Sequence, residues 1–173
     1  MANTMVFIAS VTVGSGGAST IDFTSIPQTY TDLCLKISAK SASSTSVGTD
    51  GIKLEINTAT TGFTNKQLYG SGNTAGAGGG SSNYTGANLN NASGTTNIHN
   101  NTEFYFSNYA GSTYKSFLVD SIYSNNSTTA YELDLSGNLW SNTAAITQLT
   151  LKTLQGTNFV QYSTAYLYGI KKS

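Results

Sequence analysis

The chain has 173 residues with eight lysines, no arginine, eight acids, one histidine and one cysteine, and its formal net charge is zero. Only 9% of the residues are charged, while Ser, Thr, Asn and Gly make up about half. So few scattered cations exclude the basic patch that nucleic-acid binding needs, and no apolar run approaches the roughly 20 residues of a membrane-spanning helix.

The pattern along the chain has period two, the mark of strands with one buried and one wet face. Met5–Val13 and Thr20–Phe23 are the first strand candidates. Leu33–Ala39 follows, with Leu33, Leu35, Ile37 and Ala39 inward, and then Gly51–Asn57, with Ile52, Leu54 and Ile56 inward. Beyond these come Glu103–Ser107, Tyr114–Tyr123, Tyr131–Ser136, Ile146–Leu154 and Phe159–Ile170. In Tyr131–Ser136 the alternation sets Tyr131, Leu133 and Leu135 inward and Glu132 and Asp134 on the wet face. Gly, Asn and Ser clusters punctuate nearly all these segments. No apolar i, i+3, i+4 spacing is sustained, so helix is limited to at most one short turn near Asn138–Ala145. Some nine strands around one core predict a single all-β domain over 1–173, an antiparallel β-sandwich of jelly-roll type.

Two of these strands are apolar on both sides. Tyr114–Tyr123 places Phe117, Val119 and Tyr123 on one face and Leu118 and Ile122 on the other. Phe159–Ile170 sets Val160, Tyr162, Tyr166, Tyr168 and Ile170 against Phe159, Ala165 and Leu167. Their outer faces are either covered by loops or are subunit contacts. The tyrosines at 162, 166 and 168 suit packing, an intersubunit contact or a glycan platform.

Composition breaks at Gly70–Asn101, where only Tyr84, Leu89 and Ile98 are large and apolar. This reads as a long Gly/Ser/Asn-rich loop, either an arm ordered by neighbouring subunits or a mobile surface loop.

Residues for catalysis are sparse. His99 has no acid near it in sequence until Glu103, and no GxSxG elbow occurs. Asp120, Glu132 and Asp134 are acids without a cleft to define them, so no catalytic residue is assigned and the chain is expected not to be an enzyme. One histidine and one cysteine, Cys34, cannot make a structural zinc site, and neither a calcium loop nor a phosphate loop is present. No cofactor or metal is expected. Asn-x-Ser/Thr sequons such as those at Asn83 and Asn126 are expected by chance in this composition. The start, MANTMVFIASVTVGSGG, has no basic n-region and an alternating apolar stretch, unlike a signal peptide.

Four segments carry a resemblance: Ile26–Lys40 (IPQTYTDLCLKISAK), Asn108–Lys115 (NYAGSTYK) with the run to Ser121, Leu139–Thr150 (LWSNTAAITQLT) and Asn158–Ile170 (NFVQYSTAYLYGI). In this order they resemble structural proteins of tailed-phage virions, namely capsid decoration or cement proteins and head- or tail-fibre modules. The resemblance implies a jelly-roll sandwich, a homotrimer, and a place on the outer surface of a virion after synthesis in the host cytoplasm. Its implied partners are the major capsid protein and copies of the chain itself, with a host glycan as the alternative; neither nucleic acid nor membrane is expected. The absence of a shaft repeat favours decoration protein over fibre tip. Candidate contact residues are Met5, Phe7 and Ile8 in the apolar N-terminal segment, Tyr84 in the 70–101 stretch, and Tyr162, Tyr166 and Tyr168. The N-terminal segment either adds a strand to a neighbour's sheet edge or is the first strand of its own sandwich.

Overall fold

The computed structural model describes residues 4–45, 48–124, 126 and 131–171. Within them lie twelve strands: β1 (Met5–Thr12), β2 (Ile21–Phe23), β3 (Asp32–Ala39), β4 (Thr49–Ile56), β5 (Phe63–Ser71), β6 (Thr74–Gly80), β7 (Tyr84–Asn90), β8 (Asn100–Phe106), β9 (Lys115–Ser124), β10 (Tyr131–Trp140), β11 (Leu149–Thr153) and β12 (Thr164–Ile170). They form two antiparallel sheets, one of eight strands in the order β1-β12-β3-β8-β9-β10-β5-β6 and one of four in the order β2-β11-β4-β7.

The sheets are held face to face by one apolar core. Leu33, Leu35 and Ile37 of β3, Phe104 and Phe106 of β8, and Phe117 and Val119 of β9 meet Ile52, Leu54 and Ile56 of β4 and Leu149 and Leu151 of β11. The Phe106 and Phe117 rings stack at 4.9 Å between centroids. Full burial of each such side chain contributes about 1.5–3 kcal/mol. β1 pairs with β12 of its own sheet, from Met5 opposite Ile170 to Thr12 opposite Thr164.

Two expectations are corrected, and the short helical turn that the sequence allowed is not formed. The 70–101 stretch is not one long loop. Thr74–Gly80 pairs with β5 along its whole length across a tight turn at Gly72 (φ 55°), and Tyr84–Asn90 pairs with β4. Glycine is a poor strand former alone, but β5 supplies the ladder, and β7 adds Ala87 and Leu89 to the core. The segment Asn138–Ala145 forms no helix, because β10 runs on to Trp140 between β9 and β5. The last strand begins at Thr164, not Phe159. Phe159 is buried and makes isolated bridges to Ala18 and Ser41, and Tyr162 turns the chain with φ 69°.

β10 faces the opposite way from the expectation. Asp134, Ser136 and Asn138 point into the interior, and Tyr131, Leu133 and Leu135 point to solvent. The alternation is as expected, but its phase is reversed.

Candidate functional site: the outer face of the large sheet

Directly opposed residues in antiparallel strands share a face, so the register lays out the outer face in rows. One row runs from Phe7 (β1) through Tyr168 (β12), Cys34 (β3) and Tyr105 (β8) to Leu118 (β9), Gly137 (β10), Lys66 (β5) and Gly79 (β6). The next holds Tyr166, Lys36, Glu103 and Asp120, then Leu135, Leu68 and Ala77. A third brings Asn101, Ile122, Leu133 and Gly70 together.

The face therefore has an aromatic end on β1 and β12, a charged stripe in the middle, and a leucine end on β9, β10 and β5. Lys36 and Glu103 form an ion pair at 2.5 Å in the stripe. At the leucine end Leu68, Leu118, Ile122, Leu133 and Leu135 are each more than half exposed. No loop among the described residues covers Leu118 and Ile122, which decides against the first reading of that two-sided strand. Gly137 and Gly70 have nothing within 4 Å of where a Cβ would sit, so each leaves an open notch between leucines.

The cause of this reversed phase lies beneath β10. β7 is the edge of the small sheet, and side chains from β5 and β10 take up its backbone groups. Asn65 Nδ2 donates to the Tyr84 carbonyl and Gln67 Nε2 to the Gly86 carbonyl at 3.0 Å. Ser136 Oγ and Asn138 Nδ2 donate to the Thr85 carbonyl. A buried carbonyl without a partner costs about 1–3 kcal/mol, and leucine at these positions has nothing to donate. Polar residues therefore face inward, and the alternating leucines are left outside. Gly86 makes the close approach possible: its φ is 80°, and a Cβ there would stand 2.8 Å from Ser136 Cβ.

The same layer holds two acids, Asp134 buried and Glu132 half-buried. Asn88 Nδ2 donates to Glu132 Oε1 at 2.7 Å, Gln67 Nε2 donates to Asp134 Oδ1, and Asp134 Oδ2 is buried without a hydrogen-bond partner. Burial pushes the Asp134 carboxyl up to about 7, the Glu132 carboxyl adds to the rise, and the Gln67 amide opposes it. Burial, followed by the Asp134 and Glu132 charges, raises the Tyr84 hydroxyl above the ordinary phenol range.

The candidate contact residues fall in four places. Phe7, Tyr166 and Tyr168 come together at the aromatic end, with Met5 beside them; the Phe7 and Tyr168 rings meet edge to face at 6.0 Å. Ile8 sits at the β1 bulge and packs against the core. Tyr84 opens β7 in the polar layer, its hydroxyl donating to Asn88 Oδ1 at 3.2 Å. Tyr162 is 70% exposed in the turn before β12, off the face its two companions share. The sequence reading missed Leu68 altogether and sent Leu133 and Leu135 inward. The available signal was the run of amide and hydroxyl residues at alternate positions, Asn65 and Gln67 on one strand and Ser136 and Asn138 on its neighbour. Among the described residues, no three His, Cys, Asp or Glu side chains are grouped to hold a metal.

No known protein family matches the chain, and no curated protein matches it. Among solved structures it is similar to a fructofuranosidase from Schwanniomyces occidentalis complexed with fructosylnystose, at 8% identity and a TM-score of 0.27. That match covers 99% of this chain, which spans 35% of the enzyme's length. It is also similar to a protein of unknown function from Shewanella oneidensis MR-1, at 12% identity and a TM-score of 0.24, over 98% of this chain and 77% of the other. At these scores neither likeness assigns a fold or an activity.

Proposed function

We propose that this chain is a non-enzymatic structural protein of a tailed-phage virion, a decoration protein that binds the outside of the head and stabilises it. The observation that carries this reading is the uncovered leucine end of the large sheet. Five large aliphatic side chains lie together in solvent on three adjacent strands, and contiguous apolar patches of this kind mark contact surfaces. The aromatic end, with Met5, Phe7 and Tyr166 exposed, offers a second contact. Two contacts suit the two partners of a decoration protein, the shell and its own copies. Such contacts are not screened by salt, unlike surface ion pairs.

The strand order supports a jelly roll with two inserted hairpins. Without β5–β6 and β9–β10, eight strands remain; numbered afresh, they lie 1-8-3-6 in one sheet and 2-7-4-5 in the other. Two interleaved Greek keys give this order, which is frequent in viral capsid domains. The inserted hairpins extend the large sheet, and the leucine end lies on them. The four segments that resemble virion proteins supply the phage assignment.

The test is to mix the purified protein with undecorated heads of the phage that encodes it. Co-sedimentation and a higher disruption temperature are the expected results. If it leaves the heads unbound and instead retains host-cell glycans, the protein is a receptor-binding module and the decoration role fails.

A further inference from the structure

We propose that the leucine end of the large sheet is a two-fold contact between two copies of this chain, closed by reciprocal Lys66–Asp120 ion pairs. This rests on the reading of that face as an assembly surface and names its occupant.

Two charges flank the leucine end. Lys66 and Asp120 both point outward and are exposed. Neither has a hydrogen bond or ion pair among the described residues. Asp120 stands directly opposite Glu103 across the β8–β9 ladder, an arrangement of like charges that costs free energy. Lys36 neutralises Glu103, and no cation among the described residues does the same for Asp120.

Neighbouring strands are about 4.8 Å apart, and same-face residues along a strand about 6.8 Å apart. Lys66 is opposite Gly137, and Asp120 is opposite Leu135. The two charges are thus two strands and one row apart, roughly 12 Å on this lattice. The midpoint between them falls between Gly137 and Leu135. A two-fold axis lying in the face through that point, perpendicular to the line joining them, exchanges Lys66 with Asp120. Each copy then sets its lysine over the other's aspartate, twice per pair.

The same operation matches the apolar side chains. It brings Leu68 of one copy over Leu135 of the other and Leu118 toward the notch at Gly137, which has open space where a side chain would be. A two-fold contact must be self-complementary in this way, each patch meeting its own image. A shell protein as occupant would need a lysine and an acid of its own at these positions, whereas a second copy brings both.

Light scattering over a dilution series is the test. The purified protein should show twice the 18.1 kDa chain mass. Lys66→Glu and Asp120→Lys should each weaken association by about tenfold, since each replaces two attractions with two repulsions. The double exchange should restore it. Leu118→Asp should give monomers, and because all these side chains face outward the variants should keep the parent's melting temperature in dilute solution. A monomeric parent at high concentration, a mass of three chains (the trimer that the resemblance implies), or a double exchange that fails to restore association overturns the pair. The two proposals fail separately: a pair that does not bind heads supports this contact and removes the virion reading, while a monomer that binds heads does the reverse.

Discussion

Asp134 and Leu135 are neighbours on β10 that face opposite ways, the acid 1% exposed and the leucine 51% exposed. Each position is the reverse of what its side chain prefers in isolation. The exchange is local and has a cause: the edge of β7 above β10 needs hydrogen-bond donors, and the ladder on β10 leaves only every second position to supply them. The leucine face is therefore a consequence of how the small sheet's edge is satisfied.

The buried acid makes stability depend on pH. The Asp134 carboxyl sits at about 7 in the folded chain against an ordinary 3.8, so the folded state holds this proton more tightly than the unfolded state. Stability from this site is intact below about pH 4, falls as pH rises toward 7, and is fully lost above it. Denaturant unfolding at pH 8 should show on the order of 3 kcal/mol less stability than at pH 4 from this group. Asp134→Asn should remove most of that slope, since an amide needs no proton and can donate to Glu132. A slope that survives the substitution assigns the pH dependence to other groups.

Gly86 is the backbone counterpart of the same layer. Gly86→Ala meets both a left-handed backbone and Ser136 Cβ at 2.8 Å. The expected cost is about 2–4 kcal/mol, from strain and overpacking together. Gly70→Ala, with open space around its Cβ position, should shift the thermal midpoint little. Equal midpoints for the two variants would mean that β7 does not rest on β10 at Gly86.

Much of this fold is legible in the sequence. The alternation of Leu33, Leu35 and Ile37 and of Ile52, Leu54 and Ile56 locates two central strands with the correct face inward, because both are covered by apolar partners. Phe117 and Val119 are legible for the same reason. Leu133 and Leu135 are not, because period-two alternation fixes a strand but not its phase, and the phase depends on what lies above it. The edge of β7 is a tertiary fact. β6 is not legible either, since a run such as GAGGG becomes a strand only when β5 offers it a ladder.

Cys34 lies on the outer face between Tyr105 and Tyr168 in register, yet it is only 2% exposed. Burial pushes its thiol up to about 11, the Glu103 carboxylate adds to this, and Lys36 opposes it. At pH 8 the thiolate fraction is then roughly a hundredfold below that of an ordinary cysteine. Iodoacetamide labelling followed by mass spectrometry should find the folded protein inert over hours and the denatured protein labelled promptly. Rapid labelling without denaturant would show that the two tyrosines part to expose the thiol.

The phase of β10 has a direct test in a pair of adjacent substitutions. Leu135→Asn changes an outward, half-exposed side chain, so on dilute protein, where association contributes nothing, its effect should stay within about 0.5 kcal/mol. Ser136→Leu forces bulk against Gly86 and removes a donor from the Thr85 carbonyl. Overpacking and the loss of one of the two donors to a buried carbonyl, the other being Asn138 Nδ2, should together cost about 2–3 kcal/mol. A strand packed with its leucines inward would reverse this order, since Leu135→Asn would then bury an amide and Ser136→Leu would only decorate the surface. Equilibrium unfolding of the two variants separates the cases. If Leu135→Asn is the costlier change, the leucine face does not exist and the contact proposed on it has no surface to use.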